Sequence, residues 1–549
     1  MPVKYFGIYL AYAPGVDLRH EGLGRYLAAF LKGASEREDV RFVLVCPSWS
    51  KEGLAELFES EGVSKASFDV VAPDKEPMVL RLYEAYKARK ERRAKSSLMR
   101  RISLFGNSVK MKFFDRVERR LVEANSYSDM FSVFIEGFLL SFLLVLVSPL
   151  LLIGMFCYFC FLMKPKFGSF FKPITKKIAR LRRLLRTPKD DALVLRLYNG
   201  IARVEADRML KLVDGLSHVK AWYSPTAFWP AFNKIKAPRV MCVPDVVLSD
   251  FPVAFSTIGG NRFAQVFYDV KSAIEAGSNY ITYSNAVKWS TLVEQFGVRG
   301  SNVSVIHHAP NDLSPWVAVN GYPDNESTSI NYCEQLFKSA LKRSSNPDYT
   351  SGFGNVKVDF IFYASQFRPN KNVISLLRAY ESLLRKRLIK HKLILTGRPE
   401  ASSEVKSFIK KHHLENDVLC LHGLSIQQLA ACYKLADLVV NPSLSEGGCP
   451  FTFTEALSVS TPVVMARIPV SEEVLTDPEL QDVTFFDPYS WEDIADKIEW
   501  ALDHREHVLK VQSVAYQSLA ERSWANVVDE HIDVLLKISK TDKVVEEVA

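Results

Sequence analysis

"NPSLSEGGCPFTFTEALSVSTPVVMARIPVSEEV", residues 441–474, packs a strand end, a glycine-rich turn, a helix and a second strand into one short stretch. Gly447 and Gly448 let the backbone approach a ligand closely. The helix that follows, opening near Phe451, turns its first amides toward an anion. Two carboxylates, Glu446 and Glu455, bracket the turn. A carboxylate beside an anion site is no ligand for the anion. As a hydrogen-bond acceptor it suits hydroxyl groups.

The same alternation runs outward from this stretch. "VDFIFYAS", "KLILTG", "VLCLHG", "LADLVVNP" and "TPVVMA" are short apolar runs between amphipathic stretches. They predict βα units and a parallel sheet. The first 75 residues follow the same rule, with strands at "YFGIYLAY", "VRFVLVCP" and "FDVVAP". The rhythm stops near Glu76 and resumes near Asp191 with a long helix, then strands at "VKAWYS", "RVMCVP", "NYITYS" and "VSVIHH". The expected organisation is a first domain over residues 1–312, interrupted by an insertion at 77–190. A polar linker follows at 313–356, with a helix near 330–342. A second domain covers 357–515 and a C-terminal helix 516–549. The fold class is α/β, with two doubly wound domains facing a cleft, and ligands bind in such folds at the carboxyl ends of the strands.

Residues 441–474 resemble the C-terminal signature of glycosyltransferase family 4, retaining enzymes of the GT-B fold. The family spacing is Glu-x7-Glu; here eight residues separate the two glutamates, a loop longer by one. The resemblance implies that Glu446 contacts the hydroxyls of a donor sugar and Glu455 the ribose of its nucleotide. It places Gly447, Gly448, Cys449 and Pro450 beside the sugar and diphosphate. "FYASQFRPNKNVISLLRAY", residues 362–380, resembles the family loop that presents an Arg and a Lys to the donor diphosphate. Lys371 falls on the Lys position; Gln366 stands at the usual Arg, with Arg368 as its substitute. Fixed cations there stabilise the charge of a leaving diphosphate. "RHEGLGRYLAAFL", residues 19–31, resembles the family's N-terminal glycine-rich loop and puts Gly22, Gly24 and Arg25 on the acceptor side of the cleft. Asp245 stands in a loop where the family often has a His; its competing reading is a turn residue. The resemblance covers roughly residues 1–75 and 195–535. It extends to bacterial O-antigen and capsule mannosyltransferases, which makes GDP-mannose the favoured donor. No D-x-D occurs in the chain, so no metal and no cofactor is expected beyond the sugar nucleotide as co-substrate.

The 549 residues carry a net charge of +8. The excess is concentrated in "YKARKERRAKSSLMRR" (86–101) and "KPITKKIARLRRLLRTPK" (172–189). These runs flank residues 137–163, which hold no charge at all. The arrangement favours an anionic membrane surface as partner, and no nucleic-acid motif accompanies it. The stretch is long enough to span a bilayer of about 30 Å, but a single crossing would split one sheet domain across the membrane. Pro149 divides it into two shorter arms. The expectation is therefore a re-entrant helical hairpin at 131–163, in a monotopic protein on the cytoplasmic face of the inner membrane. A hairpin buried against protein is the alternative. Cys157 and Cys160 lie in this run without a second pair, so no zinc site is expected. The N-terminus carries no signal-peptide pattern. Together these features imply hexose transfer from a nucleotide sugar to a glycan or polyprenyl-linked acceptor. The alternatives are a nucleotide-sugar epimerase of the same fold and a non-catalytic membrane-anchored scaffold.

Overall fold

Apolar runs too short for helices, and apolar on both sides, become parallel strands covered on both faces. The computed structural model describes residues 3–16, 22–81, 193–259, 261–350 and 358–548, with the single positions 18, 128 and 353. Seven strands form the first sheet: β1 (Lys4–Tyr9), β2 (Val40–Val45), β3 (Phe68–Val71), β4 (Val219–Ser224), β5 (Arg239–Cys242), β6 (Tyr280–Thr282) and β7 (Val303–Val305). Their order is β3-β2-β1-β4-β5-β6-β7, and the pairings are parallel. The second sheet holds β8 (Phe360–Tyr363), β9 (Lys392–Leu395), β10 (Val418–Cys420), β11 (Leu438–Asn441), β12 (Val463–Ala466) and β13 (Phe485–Phe486). Its order is β10-β9-β8-β11-β12-β13, again parallel. The apolar runs account for twelve of these thirteen strands. The two-residue edge strand β13 is too short to leave a pattern.

Side chains alternate between two layers. Phe6, Ile8, Phe42 and Leu44 face one side of the first sheet, against Leu27, Phe30 and Leu31 of the helix Gly22–Ala34. Tyr9, Val43, Val45 and Trp222 face the other side. There they meet Met209 and Val213 of the helix Leu193–Gly215, and Val270, Ala273 and Ile274 of the helix Asn261–Glu275. In each sheet the order reverses beside the first strand of that domain: β1 lies between β2 and β4, and β8 between β9 and β11. The crevices at these reversals are where such sheets take ligands.

The segment expected as a linker is partly core. The helix Asn325–Leu341 is capped by Asp324, whose side chain accepts from the Ser327 amide at 2.9 Å. It sends Cys333, Phe337, Ala340 and Leu341 into the apolar cluster of the second sheet. Phe337 stacks on Phe360 with ring centroids 5.0 Å apart. Four buried apolar residues on a polar helix give too weak a periodicity to stand out in sequence.

The chain crosses between domains twice. After the helix Arg505–Ala520, whose buried Gln512 hydrogen-bonds both backbone groups of Val463, the helix Trp524–Val548 returns to the first domain. Val527, Val528, Ile532 and Leu535 enter the cluster around Phe30 and Phe42. His531 donates or accepts through Nε2 with Tyr26 Oη at 3.2 Å.

The apolar hairpin expected at 131–163, with Cys157 and Cys160, lies outside the described residues, as does nearly all of the insertion. Its described flanks are anchored: Leu80 packs with Ile201, and the buried Glu205 accepts from the Ser48 amide at 2.7 Å. Among the described residues no helix is long and apolar enough to cross a membrane.

The returning helix sets one sharp requirement. A Cβ on Gly33 would lie 2.5 Å from the Trp524 carbonyl carbon and oxygen. Gly33→Val should therefore destabilise the chain by about 1–3 kcal/mol, seen as a lower urea midpoint with the slope unchanged.

Candidate functional site

Two loops of the second domain build the floor of the cleft. One leaves β11 and runs from residue 442 to 450, where Pro450 caps the helix Phe451–Ser458. The other leaves β8 and ends in the turn Pro369–Lys371, released into the helix Val373–Lys386 by Asn372 in the left-handed region, φ 50°. The buried Asn370 stitches them. Its carbonyl accepts from the Leu444 amide at 2.8 Å and from Ser443 Oγ at 3.2 Å, and its Nδ2 donates to the Ser445 carbonyl at 3.1 Å. This stitching brings Lys371 Nζ onto Glu446 Oε1 as an ion pair, each side chain one-fifth exposed. Arg368 is exposed on the same loop and donates to Gln366 Oε1 at 2.7 Å.

The first domain closes over this floor. A Cβ on Gly447 would sit 2.3 Å from the Pro244 carbonyl oxygen, so only glycine admits the loop after β5. Ser284 Oγ donates to the Gly447 carbonyl at 3.0 Å, and Ser445 Oγ donates to Asp250 at 2.9 Å. Gly448 faces Tyr283 and His308. Asp245 follows Pro244 and faces Glu446, Lys371 and Arg368. Burial and then the charge of Glu446 push its carboxyl up to about 6, while Lys371 and Arg368 pull the other way.

Glu455 forms a second node. It lies in the helix Phe451–Ser458, with only 4 % of its side chain exposed, and is ion-paired with Arg25 of the first domain. Asn311 Nδ2 donates to the same Oε1 at 3.2 Å, and the Asn311 amide donates to Thr454 Oγ1 at 3.2 Å. Burial alone raises the Glu455 carboxyl, but the charge of Arg25, with hydrogen bonding from Tyr433, Arg25 and Asn311, outweighs it and holds the group below its ordinary value. Arg25, expected on the acceptor side, is thus placed against the carboxylate expected at the nucleotide. Gly24 lies under the Leu18 carbonyl, where a Cβ would come within 2.0 Å; Gly22 has open space around it.

Cys449 is half-buried, and burial, then the charge of Glu446, push its thiol up to about 12. That favours the thiol, the less nucleophilic form. His308 is lowered to about 3, chiefly by burial, and its neutral ring lies between Tyr283 at 3.9 Å and Phe451 at 4.8 Å. Glu446, Lys371, Arg368, Asp245, Gly447 and Gly448 come together in one group; Glu455 and Arg25 form the other. Asn311, Asn370, Asp250 and Glu473 were not anticipated. Glu473 accepts from the Asn285 amide, Asn285 Nδ2 and the Ala286 amide at 2.8, 2.9 and 3.0 Å, a second cross-domain clasp. No local pattern marks these four, because their partners lie far away in sequence.

Two parallel-sheet domains face each other, with a carboxylate–lysine ion pair at the second switch point. Residues 352–518, less than a third of the chain, match the family described as Glycosyl transferases group 1. The chain is similar to the O-antigen chain mannosyltransferase RfbU of Salmonella typhimurium, 34 % identical over 108 residues, which is 20 % of this chain and 30 % of that protein. It is also similar to the lipopolysaccharide 1,2-N-acetylglucosaminetransferase of the same organism, 24 % identical over 45 % of this chain and 70 % of the other. The match with RfbU thus spans less than a third of that relative. Among solved structures, Anabaena HepE in complex with UDP and glucose superposes with a TM-score of 0.52 at 14 % identity, over 97 % of this chain and 99 % of that one. TarM of S. aureus gives 0.53 at 10 % identity, over 97 % and 100 %. These structural likenesses bear on the fold.

The contact at Gly447 is open to test. Gly447→Ala forces the Pro244 loop away, so the domains should part. Small-angle scattering should then show a larger radius of gyration, with the far-UV circular dichroism unchanged.

Proposed function

We propose that this chain is a retaining, metal-independent glycosyltransferase. It moves a hexose, mannose by preference, from a nucleoside-diphosphate sugar such as GDP-mannose to a membrane-associated glycan in bacterial surface-polysaccharide synthesis. The observation that carries this reading is the convergence of Lys371, Arg368, Glu446 and Asp245 across one cleft, on loops that leave the carboxyl ends of strands β8, β11 and β5. The O-antigen relative supports the choice of mannose. A polyprenyl-linked acceptor, and a monotopic seat on the cytoplasmic face of the inner membrane, draw their support from the uncharged run at 137–163 and its basic flanks.

In this mechanism the bond from the sugar's anomeric carbon to the diphosphate oxygen breaks, and its electron pair stays on the diphosphate. Lys371 and Arg368 meet that growing charge, in a cleft already shaped for it. The ammonium of Lys371 fixes the Glu446 carboxylate in place, so it is positioned to accept from the donor sugar's hydroxyls. The acceptor hydroxyl, hydrogen-bonded to Asp245, attacks on the face the diphosphate leaves. Its proton passes to the departing phosphate oxygen, and the configuration is retained. Glu455 takes the ribose hydroxyls.

Radiolabelled transfer from GDP-mannose into a membrane glycan fraction, set against transfer from UDP-sugars, tests the donor. Glu446→Ala and Lys371→Ala should each cut turnover by about 10²–10³ with the fold intact. Near-normal turnover by Glu446→Ala would overturn the assignment. Asp245 gives a signed pH effect. Burial pushes its carboxyl up to about 6, and it accepts from the acceptor hydroxyl most strongly when ionised. Turnover should therefore fall as pH drops through about 6. Asp245→Asn should be slower and should lose that limb of the profile.

A further inference from the structure

We propose that Arg25 is a positioning residue for the donor nucleotide: it reaches from the first domain to fix the buried Glu455 carboxylate of the second, so that domain closure completes the ribose site. The inference rests on reading Glu455 as the ribose carboxylate.

The geometry separates this role from an ordinary surface ion pair. Arg25 and Asn311 come from different segments, the helix Gly22–Ala34 and the first crossing between domains, yet both donate to Glu455 Oε1. Their two directions fix the plane of the carboxylate. A carboxylate offers about four acceptor positions, so acceptor capacity remains for hydroxyl groups. The carboxylate is nearly sealed, while the Arg25 side chain is 30 % exposed.

Arg25 is also held rigidly from both sides of the chain. Gly24 lies against the Leu18 carbonyl. Tyr26 is buried, with its hydroxyl 3.2 Å from both Tyr223 Oη and His531 Nε2. Its ring meets Trp524 edge-on at 5.6 Å. A long side chain carried on so fixed a backbone reports the position of the whole first domain. When the domains part, Glu455 loses its cation and keeps the neutral groups Asn311 and Tyr433. Without the guanidinium the carboxylate loses one of the two donors that fix its plane, and its free acceptor positions are no longer aimed in one direction. Ribose recognition is therefore coupled to closure through one guanidinium.

The test uses the full chain, with GDP and UDP titrated by calorimetry and steady-state kinetics in both substrates. Arg25→Ala should weaken binding of the nucleoside diphosphate roughly 10–100-fold, the usual scale for losing a group that orients a ligand-binding residue. Donor KM should rise in step, while kcat at saturating donor and the acceptor KM stay close to those of the unaltered chain. Arg25→Lys, which keeps the charge, should recover most of the affinity; Arg25→Met, which keeps the length without the charge, should not, whereas a purely steric role would let it. The lysine variant also carries the test if the alanine variant fails to fold. If Glu455→Ala weakens nucleotide binding but the Arg25 variants, melting normally, do not, the inference falls and the ribose reading stands. A raised acceptor KM with unchanged donor KM overturns it too, and returns Arg25 to the acceptor. If Glu455→Ala binds as tightly as the unaltered chain, or if neither nucleotide binds that chain, the ribose reading fails and takes the inference with it.

Discussion

A carboxylate held inside a cleft between two domains is charged where charge is least welcome. Taking it out of water is expensive unless a cation and further donors come with it. The two glutamates of the central loop solve this differently. Glu446 is neutralised within its own domain by Lys371, and the Asn370 stitching makes that pair a property of the donor domain alone. Glu455 is neutralised from the opposite domain by Arg25. One pairing fixes the shape of the floor and the other ties the floor to the roof. The close approach at Gly447 and the clasp of Glu473 on the Asn285 and Ala286 amides then follow from the domains being held together.

The surrounding groups are tuned by the same balance. Asp245 has two cations in view but is burdened by burial and by Glu446, and so titrates near 6. Cys449, beside the same carboxylate, is kept a thiol. His308, enclosed by rings, is kept neutral. The cleft therefore sets two cations, Lys371 and Arg368, among the carboxylates of Glu446 and Asp245.

Much of the fold was legible in the sequence because parallel strands covered on both faces are uniformly apolar, and their runs stand out whatever their phase. Glu446, Glu455 and Lys371 were legible because a glycine-rich turn and a strand–loop–helix are local patterns. What pairs with them was not. Arg25 and Glu455 are 430 residues apart, and Asn285 and Glu473 are 188 apart. No window of sequence contains both members. Asn311 and the helix Asn325–Leu341 sat in a polar stretch whose few apolar contacts were outnumbered. The strand β13 has too few residues for any period.

The return of the helix Trp524–Val548 to the first domain has a consequence for how the chain is made. Val527, Val528, Ile532 and Leu535 belong to the core of a sheet whose first strand begins at Lys4. On the ribosome, where domains usually mature from the N-terminus onward, this sheet must wait for residues translated more than five hundred positions later. The second domain, contiguous in sequence, has its core complete beforehand. The last-made domain thus matures first, and the first-made one holds an uncovered apolar face through most of synthesis, a natural client for chaperones that bind nascent chains.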